Sequence, residues 1–184
     1  LITAGVVQPW DTTMVTLSPD GSAAPRNHHA YVACPGMTAL AKAIGGDVPV
    51  QHDIEITKLS RRSDTSQWQL MDKNGHSYGG YDLVIAAIPA PQSAALMPQL
   101  AQKSGLDAVK MMACFTVMLG FDKLQALPWG GAFVEDHLLG FIAVNSTKPS
   151  REGGISLVIQ ANNSWAEPRV DHDPLMIEKE MHAA

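Results

Sequence analysis

The apolar positions of this chain fall into short runs with the two-residue rhythm of strands more often than the 3.6-residue rhythm of helices. Ile2 to Val7 and Met14 to Leu17 read as strands separated from the next apolar run by the turn Ser18-Pro19-Asp20-Gly21 and the polar stretch Arg26-Asn27-His28-His29. Pro35-Gly36 opens a helical segment, Met37 to Ile44, closed by Gly45-Gly46. From Val48 to Ile88 the pattern predicts a β-meander: Val48 to Leu59, Trp68 to Met71 and Ser77 to Ile88, with Asn74-Gly75 at a tight hairpin turn. Leu83 to Ile88 is apolar without alternation, as in a strand covered on both faces, and Pro89 and Pro91 end it. In an open α/β sheet, ligands gather where such strands end. Ser93 to Lys103 predicts a helix despite Pro98, and Met111 to Phe121, Ala132 to Val134, Leu138 to Val144 and Ile155 to Ala161 predict a second set of strands, with Glu135-Asp136-His137 as a connecting turn. A last helix starts at Asp173-Pro174 with an N-cap and a first-position proline.

Composition narrows the class. The 184 residues are 46% hydrophobic and 17% charged, ordinary for a folded domain with a substantial core. A net charge of −5 gives no basic field for nucleic acid or an anionic membrane, and the Arg61-Arg62 pair reads as a solvated turn. The longest apolar run, Met111 to Phe121, has about half the length that a bilayer span needs. Cys34 and Cys114 each sit among apolar neighbours, so two buried thiols and a reducing cytoplasm are expected. Leu1 is no initiator methionine and the last helix stops without a C-cap, which reads as an internal piece of a longer protein.

Chemistry-bearing motifs are sparse. The glycine pairs at 45–46, 79–80, 130–131 and 153–154 lack the spacing that cradles phosphate and read as turns. Seven histidines form no H-x-x-x-H or H-x-H pair, so no metal ligand set is expected. Neither a nucleophile elbow around Ser146, Ser156 or Ser164 nor a carboxylate pair suited to glycoside chemistry is encoded, and no catalytic residue is assigned. Trp129, Phe133, Phe141 and Trp165 supply flat apolar surface for either a core or the wall of a planar-ligand pocket. Asn145 and Lys148, just after an apolar strand, are either a capped turn or a pair of polar groups that orient a ligand.

In their order and spacing, these pieces resemble the renalase-like branch of the flavin-containing amine oxidase superfamily. The resemblance rests on Tyr31-Val32-Ala33-Cys34-Pro35-Gly36-Met37 followed by Leu40-Ala41, on Ile56 to Leu59, Trp68-Gln69-Leu70 and Tyr81 to Gln92, and on Gly131-Ala132-Phe133-Val134 and Asn145-Ser146-Thr147-Lys148-Pro149. It implies an α/β to α+β fold: part of a Rossmann-like FAD domain with a β-meander, interleaved with a mixed-sheet substrate domain. Residues 1–33 and 93–184 would belong to the substrate domain and 34–92 to the FAD domain.

The cofactor implied is FAD, with Ile56 beside the adenine and Ala87, Ile88 and Pro89 approaching the cofactor. Substrate contacts fall to Phe133, Phe141, Asn145, Lys148 and Trp165. The activity implied for the parent is oxidation of a small amine or dihydronicotinamide-type donor by hydride transfer to flavin, with dioxygen as acceptor. The glycine-rich strand-turn-helix for the pyrophosphate is not in this segment, so the isolated segment is expected to hold FAD poorly and to be inactive. Two alternatives stand beside this reading: a non-catalytic ligand-binding or interaction domain without flavin, and a nicotinamide-dependent dehydrogenase.

Overall fold

The computed structural model describes residues 1–123 and 126–184. Strands β1 (Val7–Trp10), β2 (Met14–Leu17), β3 (Ala23–Pro25) and β4 (Ala30–Ala33) precede helix α1 (Thr38–Gly45). Strands β5 (Ile56–Arg61), β6 (Trp68–Asp72) and β7 (Ser77–Tyr81) follow, then helices α2 (Ala90–Leu96) and α3 (Pro98–Ser104). Strands β8 (Thr116–Phe121), β9 (Gly131–Val134), β10 (Leu139–Val144) and β11 (Ile155–Ala161) lead to helices α4 (Asn163–Ala166) and α5 (Pro174–Ala183). The fold is α+β, with one mixed sheet and two antiparallel ones. The chain divides into two compact units: Leu1–Val48 with Met112–Ala184, and Pro49–Met111. Helix α1 packs on β4 in the first unit, and α2 packs on β5 in the second.

The first unit is built on a six-stranded sheet in the order β3-β2-β9-β10-β11-β8, antiparallel except where β2 runs parallel to β9. Alternation along the strands gives the sheet two apolar faces. Leu139, Ile159 and Ala161 pack against Ala166 of α4 and Ile177 and Met181 of α5 on one face. On the other, Phe141, Ala143 and Val158 meet Trp10 and Val32 of the β1–β4 ribbon, with Met14 and Cys34. Helix α5 begins as its sequence demands: Asp173 Oδ1 accepts from the Leu175 N–H at 3.0 Å, and Pro174 fills the first turn.

Glycines 130 and 131 form no turn. They sit buried at the start of β9, where a Cβ on Gly130 would stand 2.3 Å from Thr12 Oγ1 and one on Gly131 2.4 Å from Met14 Sδ. Both are glycine because neighbouring side chains occupy the space. Gly131→Ala is expected to lower stability by about 1–3 kcal/mol through overpacking, measured by urea unfolding.

In the second unit, β5, β6 and β7 form a three-stranded antiparallel meander. The hairpin at Asn74-Gly75 forms with only Gly75 at positive φ (+85°), and the Gly75 N–H donates to Asp72 O at 3.1 Å. The Asp72 side chain caps this turn: Oδ1 accepts from the Asn74 and His76 N–H groups, both at 2.8 Å, and Oδ2 accepts from the Tyr78 hydroxyl at 3.2 Å. Burial pushes the Asp72 carboxyl up, but the hydrogen bonds from His76, Asn74 and Tyr78 outweigh it and hold the carboxyl below its ordinary value. A carboxyl depressed in the folded state contributes stability that is complete above its unfolded pKa of about 3.9 and is lost as pH falls through the lower folded value. Asp72→Asn should therefore unfold more easily at neutral pH and show a smaller further loss in acid than the wild type, as read by urea unfolding at both pH values.

Several expected elements differ. The first strand starts at Val7, since Ile2 to Gly5 form a turn closed by the Gly5 N–H to Ile2 O bond of 2.9 Å. The first strand of the meander starts at Ile56 rather than Val48, and β8 at Thr116 rather than Met111. The helix expected across Ser93 to Lys103 is two helices broken at Met97 (φ −134°, ψ 61°), because a residue preceding proline is driven out of the α region by Pro98. Leu83 to Ala87 forms no regular element and joins no ladder, and Leu83 and Ile85 are 74% and 80% exposed rather than buried. Apolar character there is not matched by a neighbouring strand. Cys34 is buried as expected, whereas Cys114 is exposed at the approach to edge strand β8. No helix of the described residues is long and apolar enough to cross a membrane.

Candidate functional site

The cofactor residues expected from the sequence, Ile56, Ala87, Ile88 and Pro89, line one cleft of about 710 Å³ in the second unit. A β-bulge shapes its strand wall. Ile56 pairs with Asp72 and Lys58 with Met71, leaving Thr57 as the extra residue. Three residues apart, Ile56 and Leu59 would point to opposite faces of a regular strand, but the bulge turns both into the cleft, where Leu70 opposite Leu59 joins them.

The other wall comes from the run Val84 to Pro89 and from α2. Pro89 stands in the N-cap position with φ −55° and ψ 150°, and the buried Ser93 hydroxyl donates to Ile88 O at 3.1 Å, tying the run to the helix that follows it. Gln92 and Leu96 of α2 also reach the cleft. Leu59, Leu70 and Leu96 were not singled out in the sequence. Their signal is the apolar periodicity of β5, β6 and α2, which marks them as inward-facing without distinguishing core from cleft. Its surface is mainly apolar, and no lysine or arginine lines it; Glu55, also on the wall, pairs with Lys73 Nζ at 3.2 Å.

The five expected substrate contacts lie in the first unit and do not all converge. Phe133 and Phe141 are cross-strand partners on β9 and β10, with ring centroids 4.9 Å apart, and form a continuous aromatic patch. Arg26 lies over the Phe133 ring at 4.1 Å and His28 meets its edge at 5.2 Å. Neither was foreseen as part of this patch.

Lys148 follows the turn of Asn145–Thr147, its ammonium 5.1 Å from the Trp10 ring centroid. Burial, with Arg151 adding to it, pushes the Lys148 ammonium below its ordinary pKa. Asn145 accepts through its carbonyl from the Lys148 N–H at 3.1 Å, which closes the turn. Arg151 donates to Ala33 O at 3.1 Å and to Pro35 O, fastening this loop to the end of β4. Trp165 is elsewhere: it packs with Phe115 at 6.1 Å on the sheet face covered by α4 and α5, opposite Phe133 and Phe141. Among the described residues, no three His, Cys, Asp or Glu side chains gather as metal ligands.

No protein-family model matches the chain. Among solved structures, it is similar to one described as "Putative protoporphyrinogen oxidase from Exiguobacterium sp. 255-15", with a TM-score of 0.65 and 17% identity over 85% of this chain. The match covers 36% of that protein, and at this identity the likeness is one of fold.

Proposed function

We propose that this chain is part of an FAD-dependent oxidoreductase, with the cleft of the second unit receiving the adenine end of the cofactor. The carrying observation is that Ile56 and the run Ala87-Ile88-Pro89, some thirty residues further along the chain, line that single cleft. The fold likeness to a protein described as an oxidase supports the same class.

The residues present suit an adenine. Apolar walls accept the ring faces, and backbone groups of Val84 to Ala87, outside any ladder, are available to its polar edge. They do not suit a pyrophosphate, since the one charged side chain on the wall is Glu55. FAD, when bound, accepts a hydride from the donor and passes the electrons to dioxygen. The chain's own part is to hold and orient: Ile56, Ile88 and Pro89 grip the cofactor, while Phe133 and Phe141 provide an aromatic wall for the substrate, with Asn145 and Lys148 lending polarity.

In this reading residues 34–92 belong to the FAD domain and residues 1–33 and 93–184 to the substrate domain, the branch is renalase-like, and the donor is a small amine or a dihydronicotinamide. The setting is the cytoplasm. A second reading, a ligand-binding or interaction domain without flavin, draws on the exposed, unpaired run that holds Leu83 and Ile85. The parent protein separates them. A yellow preparation that releases flavin on denaturation and bleaches anaerobically with a dihydronicotinamide or an amine supports the oxidoreductase; a colourless one that refuses FAD supports the second reading.

A further inference from the structure

A hollow of about 290 Å³ in the first unit is walled by Trp10, Asp11, Arg26, His28, His29 and Tyr31. Its size stands at the lower edge of ligand pockets, about 300–1,000 Å³. Two of its wall residues, Arg26 and His28, are the same ones that pack on Phe133, so the hollow adjoins the aromatic patch of β9 and β10. The Arg26 guanidinium is held from two sides: its carbon lies over the Phe133 ring, 4.1 Å from the centroid, and it donates to Thr16 Oγ1 at 3.4 Å. It nevertheless forms no ion pair with a carboxylate among the described residues. His28, His29 and Trp10 line the same hollow, with one acidic residue, Asp11.

A guanidinium held between a ring and a hydroxyl has less freedom to lose on binding, and its planar fork matches the two oxygens of a carboxylate or phosphate. A surface arginine with no role usually trails into solvent or pairs with a neighbouring acid. Arg26 does neither.

We infer that the hollow is an oxyanion-binding site, taking the carboxylate or phosphate group of a small ligand whose flat part extends towards Phe133 and Phe141. The inference rests on reading those two rings as a ligand wall, and it does not require flavin. It also selects between ligand charges: an anion-bearing ligand is favoured here over a compact ammonium.

The test is an NMR titration of the chain with benzoate and, separately, with inorganic phosphate, following the Arg26 Nε–H and Trp10 Nε1–H signals. Saturating shifts at both are expected, with affinity about tenfold or more weaker in Arg26→Gln and unchanged in Arg62→Gln, an arginine already paired with Asp64. Arg26→Lys, which keeps the charge and loses the fork, should fall between. Tighter binding of benzoate assigns the group to a carboxylate on a ring; tighter binding of phosphate assigns it to a phosphate ester. Shifts that do not saturate, or an Arg26→Gln affinity equal to that of the wild type, overturn the site. A flavin-free parent whose chain still saturates with anion would sink the oxidoreductase reading and leave this site standing, while a yellow parent without saturation would do the reverse.

Discussion

Trp10→Ala is expected to be among the most damaging substitutions in the first unit, costing about 3–5 kcal/mol in urea unfolding. Its side chain is 6% exposed and does three things at once. The ring joins Met14, Val32 and Ala143 in the core beneath the β1–β4 ribbon. Its Nε1–H donates to Thr147 Oγ1 at 3.0 Å, and Thr147 in turn donates to Val144 O at 2.7 Å, so the indole orders the turn that leads to Lys148. Its face carries the Lys148 ammonium. Truncation leaves a cavity beside Gly131, which has no side chain to fill it, and releases the loop together with the core. Leu83→Ala, at a site 74% exposed, is the matching control and should stay within about 0.5 kcal/mol of the wild type.

The second large effect concerns the cleft. Ile88→Asp should weaken FAD retention by about tenfold or more while leaving the fold intact, because Ile88 is 47% exposed in the chain and its replacement disturbs little packing. A carboxylate on that wall has to be desolvated when an aromatic ring covers it, and the wall offers no lysine or arginine to compensate. Ile56→Asp acts from the opposite wall and should give the same loss. Flavin content per protein, measured after identical loading, reads both.

Much of this architecture was legible because strand periodicity and turn chemistry are local. Met14–Leu17, the Asn74-Gly75 hairpin, the strands around Glu135-Asp136-His137 and the Asp173 cap all follow from residues that act on their immediate neighbours. What was not legible depends on partners distant in sequence. Leu83 to Ile88 has the composition of a buried strand, yet composition does not supply a ladder neighbour. Trp165 and Phe133 look alike in sequence, and only the register of β9 with β10 and the packing of α4, which carries Trp165, on the other side of the sheet put them on opposite faces. Gly130 and Gly131 read as a turn because the crowding by Thr12, Met14 and Trp10 comes from a segment far upstream.

The cleft shows both sides of this division. Ile56 and Ala87 to Pro89 were named through family resemblance, and the bulge at Thr57, invisible to a count of alternating residues, brings Leu59 to the same wall as Ile56. Arg26 and His28 were passed over as a polar loop, since an arginine stacked on a ring has no signature in its own neighbourhood.

The most direct test of the central claim is an NMR titration of the chain with FAD, following the backbone amides of Ile56, Ala87 and Ile88. The account predicts saturating shifts centred on those residues, with the midpoint moved about tenfold or more to higher FAD in Ile88→Asp, even where the affinity is weak. Amides of the cleft that stay still as FAD is added, or a midpoint in Ile88→Asp equal to that of the wild type, would contradict it.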